Sequence, residues 1–130
     1  MNISVLQELG RVKVTVLRVN GPVTESAGLL EQAKTELDKG SHYLLLDLAQ
    51  VPYMATAGLR AIHAIYEMLR DAAGESKSLA GTGIAAGTYT SPYLKLFNPN
   101  THVRQALTIA GYDMFLQIFT NYDQALASFE

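Results

Sequence analysis

The hydroxyl of Thr56 is the side chain whose position in the sequence is best suited to regulated chemistry. Thr56 directly precedes Ala57, Gly58 and Leu59, where the apolar spacing of a helix begins. The start of a helix offers unpaired backbone N–H groups and the positive end of the helix dipole, and both favour a phosphate. A phosphate there would add about two negative charges to any partner surface formed around it. The alternative is that Thr56 is simply the N-cap of this helix, a common role for threonine.

The sequence lacks the other patterns that would indicate catalysis or metal binding. The chain has no Cys, and His42, His63 and His102 are scattered over three predicted elements. Neither an H-E-x-x-H metal motif nor a G-x-S-x-G nucleophile turn occurs. Asp47 follows the apolar run 43–46, and we interpret it as a carboxylate that caps the loop after a strand. We therefore expect no metal, no cofactor and no enzymatic activity.

A glycine-rich stretch superficially matches a nucleotide-binding loop. Residues 81–86 fit G-x-G-x-x-A, but residues 76–80 make a poor strand and no acidic residue follows about 20 positions later. The match lies within residues 72–92, which are dominated by Ala, Gly, Ser and Thr and hold four of the ten glycines. Long connections of this kind are often functional or mobile. We interpret 72–92 as a flexible insertion, and a small nucleotide-binding enzyme as the weakest hypothesis.

Length and composition indicate one small domain with a substantial core. The 130 residues are 48% hydrophobic and 17% charged. Ten Lys and Arg against twelve Asp and Glu leave no basic excess for nucleic acid. The first residues do not form a secretory signal, and no apolar run approaches the ~20 residues of a membrane span. We expect a single domain over 1–130 that is cytoplasmic and neither binds nucleic acid nor inserts into a membrane.

Hydrophobic periodicity predicts strands and helices in alternation. We expect the order β-β-α-β-α-β-α-β-α, with strands at 3–9, 11–19, 43–46, 93–97 and 115–119 and helices at 24–39, 57–72, 98–111 and from Thr120 onward. The continuous apolar run at 43–46 is typical of a strand that is covered on both faces. The predicted fold class is therefore α/β, with a mixed, mostly parallel sheet of about five strands and about four helices.

The helix predicted at 57–72 has more apolar residues than one buried face requires. Leu59, Ile62, Tyr66 and Leu69 form one stripe, and Ala61, Ile65 and Met68 form a second, with Ala64 between them. A helix on a sheet needs only one such stripe, so we expect part of the second to be an exposed partner surface. Its predicted polar fringe consists of Arg60, His63, Glu67 and Arg70. The alternative is deeper burial, beneath the long loop.

The residues from Leu45 to Leu59 resemble the central segment of STAS domains, the domains of bacterial anti-sigma factor antagonists and sulfate transporter tails. That family has a hydrophobic strand followed by D-L-S-x-V-x-F-x-D-S-S-G-L, and this chain has L-L-D-L-A-Q-V-P-Y-M-A-T-A-G-L. The segment from Val103 to Leu126 is similar to the closing part of the family pattern. The resemblance covers most of the chain, with 72–92 as an insertion, and it implies the same order of elements.

The resemblance implies a regulatory binding domain rather than an enzyme. In the family, the loop before the second helix carries a Ser or Thr, and a partner kinase controls binding by phosphorylating it. Thr56 matches that position. Ala55 stands where the family usually has Asp, and Ala57 where a second Ser is common.

Two hypotheses follow from this resemblance. In the first, the protein is an anti-sigma factor antagonist-like regulator that binds a kinase-type anti-sigma factor, and phosphorylation of Thr56 weakens the complex. The predicted partner-binding residues are Tyr53, Met54, Ala55, Thr56, Ala57, Gly58, Arg60, Ala61, Ala64, Ile65 and Met68. In the second, to which Ala55 and Ala57 point, the protein is a constitutive, non-phosphorylated STAS scaffold subunit of a signalling assembly or membrane transport system. A homo-oligomer is compatible with either.

Overall fold

The computed structural model describes residues 1–74 and 89–130. Within these ranges the elements are β1 (Asn2–Leu9), β2 (Lys13–Asn20), α1 (Ala27–Asp38), β3 (Leu44–Gln50), α2 (Thr56–Ala72), β4 (Leu94–Phe97), α3 (Thr101–Ile109), a 3-10 turn (Tyr112–Met114), β5 (Ile118–Phe119) and α4 (Tyr122–Ala127). Their order is the predicted one. Residues 75–88, with the G-x-G-x-x-A match and most of the predicted insertion, lie outside the described residues.

The five strands form one sheet in the order β1-β2-β3-β4-β5. Strand β1 is antiparallel to β2 and forms a hairpin with it, whereas the pairs β2–β3, β3–β4 and β4–β5 are parallel. Helices connect successive parallel strands because such strands need a crossover. The predicted mixed, mostly parallel α/β sheet is confirmed.

The two faces of the sheet are covered unequally. The larger core cluster joins β2, β3 and β4 to α1, α2 and α3. On the opposite face, a smaller cluster packs Val14, Val16 and Leu45 against Ala125 and Phe129 in and after α4, with partly buried apolar side chains such as Leu6 around it. Neighbouring residues of β3 are therefore buried on both faces, which explains the continuous apolar run in this strand.

Several element boundaries differ from the prediction because side chains and turns near the ends decide them. Strand β5 has two residues, since the 3-10 turn precedes it and Phe115 and Leu116 belong to the larger core. The last helix, predicted from Thr120 onward, begins at Tyr122 instead, and the side chain of Asn121 caps it by accepting the hydrogen bond from the Gln124 N–H at 2.9 Å. Helix α3 begins after Asn100, so the helix start predicted at residue 98 is also wrong.

Candidate functional site

The loop of residues 51–55 follows the carboxyl end of β3 and leads into α2. Its backbone is joined to the segment after β2 by two hydrogen bonds at Val23. The Val23 N–H donates to the Tyr53 carbonyl at 3.2 Å, and the Ala55 N–H donates to the Val23 carbonyl at 2.9 Å. The loop and the segment around Val23 therefore form one continuous surface at the carboxyl edge of the sheet, where α/β folds commonly place their binding sites.

Gly58 allows this loop to lie directly against the first turn of α2. A Cβ atom at position 58 would lie 2.6 Å from Met54 Cγ, 2.8 Å from Val23 Cγ1 and 3.1 Å from the Val23 carbonyl oxygen. Cβ atoms in proteins do not come as close as the first two distances, so any larger residue must displace both Met54 and Val23. Gly58, predicted as a partner-binding residue, is buried. Its missing side chain leaves the space in which Met54 of the loop packs against α2.

Asn100 joins the same loop to the start of α3. Its Oδ1 accepts a hydrogen bond from the Val103 N–H at 2.8 Å and so caps the helix. Its Nδ2 donates to the carbonyls of Val51 at 3.2 Å and Pro52 at 3.0 Å. A capping hydrogen bond from Asn100 to the third residue after it can be predicted from the sequence. Its hydrogen bond to a loop 49 residues away cannot. Sequence reasoning therefore missed Asn100 as a site residue.

Thr56 is the first residue of α2 and is exposed to solvent. The N-cap is Ala55, in extended conformation, so the interpretation of Thr56 as the N-cap is wrong. Arg60, four residues further along the helix, is also exposed. Residues at i and i+4 are neighbours on a helix surface, so the guanidinium can reach a negative group placed on the Thr56 hydroxyl.

Burial contradicts the expected exposure of part of the predicted partner surface. Ala61 and Ile65 are 0% and 1% exposed, and Met54, at 9%, belongs to the larger core. The expected exposure is wrong for Ala61 and Ile65 because α2 has neighbours on more than one side. It packs against α1 and the sheet, and the ring of Tyr66 lies 4.9 Å from that of Phe115, beyond the 3-10 turn.

Of the predicted partner-binding residues, three present exposed side chains. We call them the Thr56 surface: Tyr53, which is 51% exposed, Thr56 and Arg60. Partly exposed side chains border it at Ala55, Ala57, Ala64 and Met68. The partner contacts of these residues stay a prediction.

Polar and aromatic groups line the side of α2 next to Arg60. His63 Nδ1 lies 3.0 Å from Glu67 Oε1, and the His63 ring stacks on Tyr112 at 6.0 Å between centroids. The Tyr112 hydroxyl donates to the Leu59 carbonyl at 2.9 Å. Burial raises the pKa of Tyr112 above its usual range, although the nearby Arg60 opposes this shift. Arg70, predicted at the polar fringe, is instead 5% exposed and pairs with Asp71.

The Asp47 carboxylate is held inside the sheet by two hydrogen bonds. It lies inside β3 rather than after it, and its Oδ2 accepts from Arg18 Nε at 3.0 Å while its Oδ1 accepts from the Ala49 N–H at 3.0 Å. The loop-capping interpretation is wrong, because β3 continues past Asp47 beside β2, which supplies Arg18 as its cross-strand partner.

Residues 1–74 and 89–130 contain no group of three or more acidic or histidine side chains that could hold a metal ion. The longest helix in these ranges, α2, has 17 residues, and none of the described helices has the length and apolar character needed to cross a bilayer.

The fold and this site define a mixed-sheet α/β domain with an exposed hydroxyl at the start of its second helix. Residues 5–77 match the family model of the STAS domain. The chain belongs to the STAS domain family, which confirms the resemblance in its central segment.

Relatives and solved structures agree with this assignment. The chain is 28% identical over 104 residues to BtrV of Bordetella bronchiseptica, named as a candidate anti-sigma factor antagonist, and the match covers 77% of this chain and 74% of BtrV. The fold is shared with a candidate anti-sigma factor antagonist of Thermotoga maritima (TM-score 0.63, 18% identity, 89% of this chain and 86% of that one). It is also shared with an anti-sigma factor antagonist of Mycobacterium paratuberculosis (TM-score 0.65, 22% identity, 98% and 94%).

Proposed function

We propose that this STAS domain is a non-enzymatic anti-sigma factor antagonist that binds an anti-sigma factor in the cytoplasm. The observation that carries the proposal is the exposed Thr56 at the first position of α2, directly after a loop held in place at Val23 and Asn100. The similarity to BtrV supports the class of partner. The partner contacts the Thr56 surface together with the adjoining exposed residues Thr24 and Glu25.

The anti-sigma factor is of the kinase type, and it phosphorylates Thr56. A phosphate at the first position of a helix interacts favourably with the helix dipole, so α2 persists after modification. The gain of about two negative charges, four residues before Arg60, changes the charge of the Thr56 surface. Since the loop is tied to the Val23 segment and to Asn100, the effect on the partner is electrostatic and local rather than a loss of structure.

The test is to incubate the protein with ATP and each kinase-type anti-sigma factor of its own organism, and to measure the intact mass. We expect one phosphate on the wild type and none on Thr56→Ala. Calorimetric titration then compares Thr56→Glu with Thr108→Glu, a matched control at an exposed threonine near the end of α3. Thr56→Glu should weaken binding at least about tenfold, or 1.4 kcal/mol, and Thr108→Glu should not.

Two results would contradict different parts of this proposal. Failure of the wild type to bind any anti-sigma factor would refute the antagonist function. Tight binding without modification of Thr56 would refute the kinase-controlled switch and leave the binding function standing.

A constitutive scaffold subunit is the second candidate function. The observation that favours it is the pair of alanines on either side of Thr56, which leaves the hydroxyl without an adjacent acidic side chain in the loop. In a signalling assembly or beneath a membrane transporter, the same surface would bind permanently. Thr56→Glu would then leave the affinity for the assembly unchanged.

A further inference from the structure

Strand β1 lies at one edge of the sheet and, in the part of the chain that the structure describes, has β2 as its single neighbour. All eight residues of β1 pair with β2 in continuous register. The outward backbone N–H and C=O groups of such a strand are a template for another strand. Proteins usually protect long edges with Lys, Pro or a bulge, but residues 2–9 contain neither residue type and their register is unbroken.

The exposed apolar side chains of this edge are spaced symmetrically. Met1, Val5 and Leu9 are 41%, 38% and 85% exposed, and they make up half of the exposed large hydrophobic residues in the described ranges. They are four residues apart, so they point to the same face of the strand. Val5 lies at the centre, with one apolar residue at equal distance on each side.

We infer that β1 pairs antiparallel with β1 of a second copy of this chain, around a twofold axis at Val5. In this register Val5 lies opposite Val5 of the second copy, and Met1 lies opposite Leu9. On the other face, Asn2 lies opposite Glu8, which is the one charged residue of the strand and whose carboxylate accepts from the Tyr122 hydroxyl at 2.9 Å. No like charges meet, and the two sheets join into one continuous sheet.

The pairing of two eight-residue strands is a small interface. Interfaces at the small end of the range are weak and transient, so we expect a monomer–dimer equilibrium that shifts with concentration. This inference does not depend on the proposed function, because its test involves no partner protein.

Sedimentation velocity over a concentration series tests the dimer. The wild type should approach the mass of two chains of 14.2 kDa each, whereas Val5→Lys should stay monomeric because the axis brings two lysines together. Ile109→Lys is the matched control, since it makes the same change at an 86% exposed position on α3, and it should dimerise like the wild type. An equimolar mixture of Val5→Lys and Val5→Glu should recover the dimer, which shows that both variants fold.

A single cysteine tests the register, because the chain has no cysteine of its own. Val5→Cys should form a disulfide-linked dimer on mild oxidation, since directly opposed Cβ atoms in a sheet lie about 5 Å apart. Leu9→Cys should not, although Leu9 is more exposed, because two copies of residue 9 would be ~26 Å apart. The inference is overturned if the wild type is monomeric at every concentration, if Val5→Lys dimerises like the wild type, or if Leu9→Cys cross-links as fast as Val5→Cys.

Discussion

The two sides of α2 have opposite physical characters although they belong to one 17-residue helix. One side buries a broad apolar surface: Ala61, Ile62, Ile65, Tyr66 and Leu69 are all at most 2% exposed. The other side presents Thr56 and Arg60 to solvent, followed by the pair of His63 and Glu67. The high apolar content of this helix therefore reflects its burial in the core, where most of its large apolar side chains pack.

We call the buried side of α2 the inner side and the exposed side the outer side. Substitutions on the inner side should change stability, and substitutions on the outer side should change stability little. The free energy of unfolding depends on the apolar surface that the inner side removes from water, about 25 cal/mol per Å². Substitutions of exposed polar residues commonly change stability by less than about 0.5 kcal/mol. Substitution of an exposed residue of the Thr56 surface should therefore leave the domain folded.

The largest expected effect is on the inner side, at Ile65. Ile65→Ala should lower the free energy of unfolding by about 2–5 kcal/mol, because it leaves a cavity where a 1% exposed side chain was packed. Urea denaturation measures this loss. The matched control on the outer side is Arg60→Ala, for which we expect a change within about 0.5 kcal/mol. A loss of similar size in both variants would show that the two sides do not differ as described.

Gly58 is buried on α2 and also lies against the loop before the Thr56 surface. Its substitution should therefore affect both stability and the position of this loop. Gly58→Ala places a Cβ against Met54 and Val23, so we expect a loss of about 1–3 kcal/mol in stability and a displaced loop. Differential scanning calorimetry measures the first effect, and hydrogen exchange of residues 51–55 measures the second.

The contact with Met54 provides an internal check on this explanation. In the double variant Gly58→Ala with Met54→Ala, the cost should be smaller than the sum of the two single changes, because the shortest contact is gone. Strict additivity would mean that crowding against Met54 is not the cause.

Asn100 should have a smaller effect that can be divided into two parts. Asn100→Ala removes the cap of α3 and the tie to the loop, and we expect a loss of about 1–2 kcal/mol. Asn100→Asp retains the capping oxygen and removes the amide donor. Hydrogen exchange should therefore increase in residues 51–55 in both variants, but at the start of α3 only in Asn100→Ala. Equal protection of the loop in Asn100→Asp and the wild type would contradict the tie.

The smallest effect concerns Tyr112, at the rim of the outer side. Because burial raises its pKa in the folded state, the folded protein holds this proton more tightly than the unfolded chain does. The stabilisation is complete below the ordinary tyrosine pKa near 10 and is lost as the pH rises through the folded value. Thermal melts from pH 8 to 12 should show Tyr112→Phe losing less stability than the wild type, by about 1 kcal/mol or less. Parallel curves for the two proteins would contradict this contribution.

The order of the elements could be predicted from periodicity because each element repeats its own spacing of apolar residues. Strand β3 is the clearest case, since an apolar run without alternation requires cover on both faces. Asp47 shows the limit of the same reasoning. The apolar run 43–46 does not indicate that β3 continues to Gln50. A charged Asp47 fits inside the strand because Arg18 of the neighbouring strand pairs with it.

The site was predicted in part, for a similar reason. The position of Thr56 at a helix start follows from local spacing. The burial of Ala61 and Ile65 could not follow from it, because periodicity reveals which residues share a face but not how many neighbours a helix has. The family pattern reinforced the position of Thr56 and left the burial of these residues undecided.

The α/β order, the family and the placement of a hydroxyl at the start of α2 follow from the sequence, since these depend on residues close together in the chain. Packing between distant segments determines that α2 buries most of both apolar stripes, that Gly58 accommodates Met54 and Val23, and that Asn100 holds a loop 49 residues away. These features require contacts between segments that are distant in sequence, and such contacts exist only once the helices have packed on the sheet.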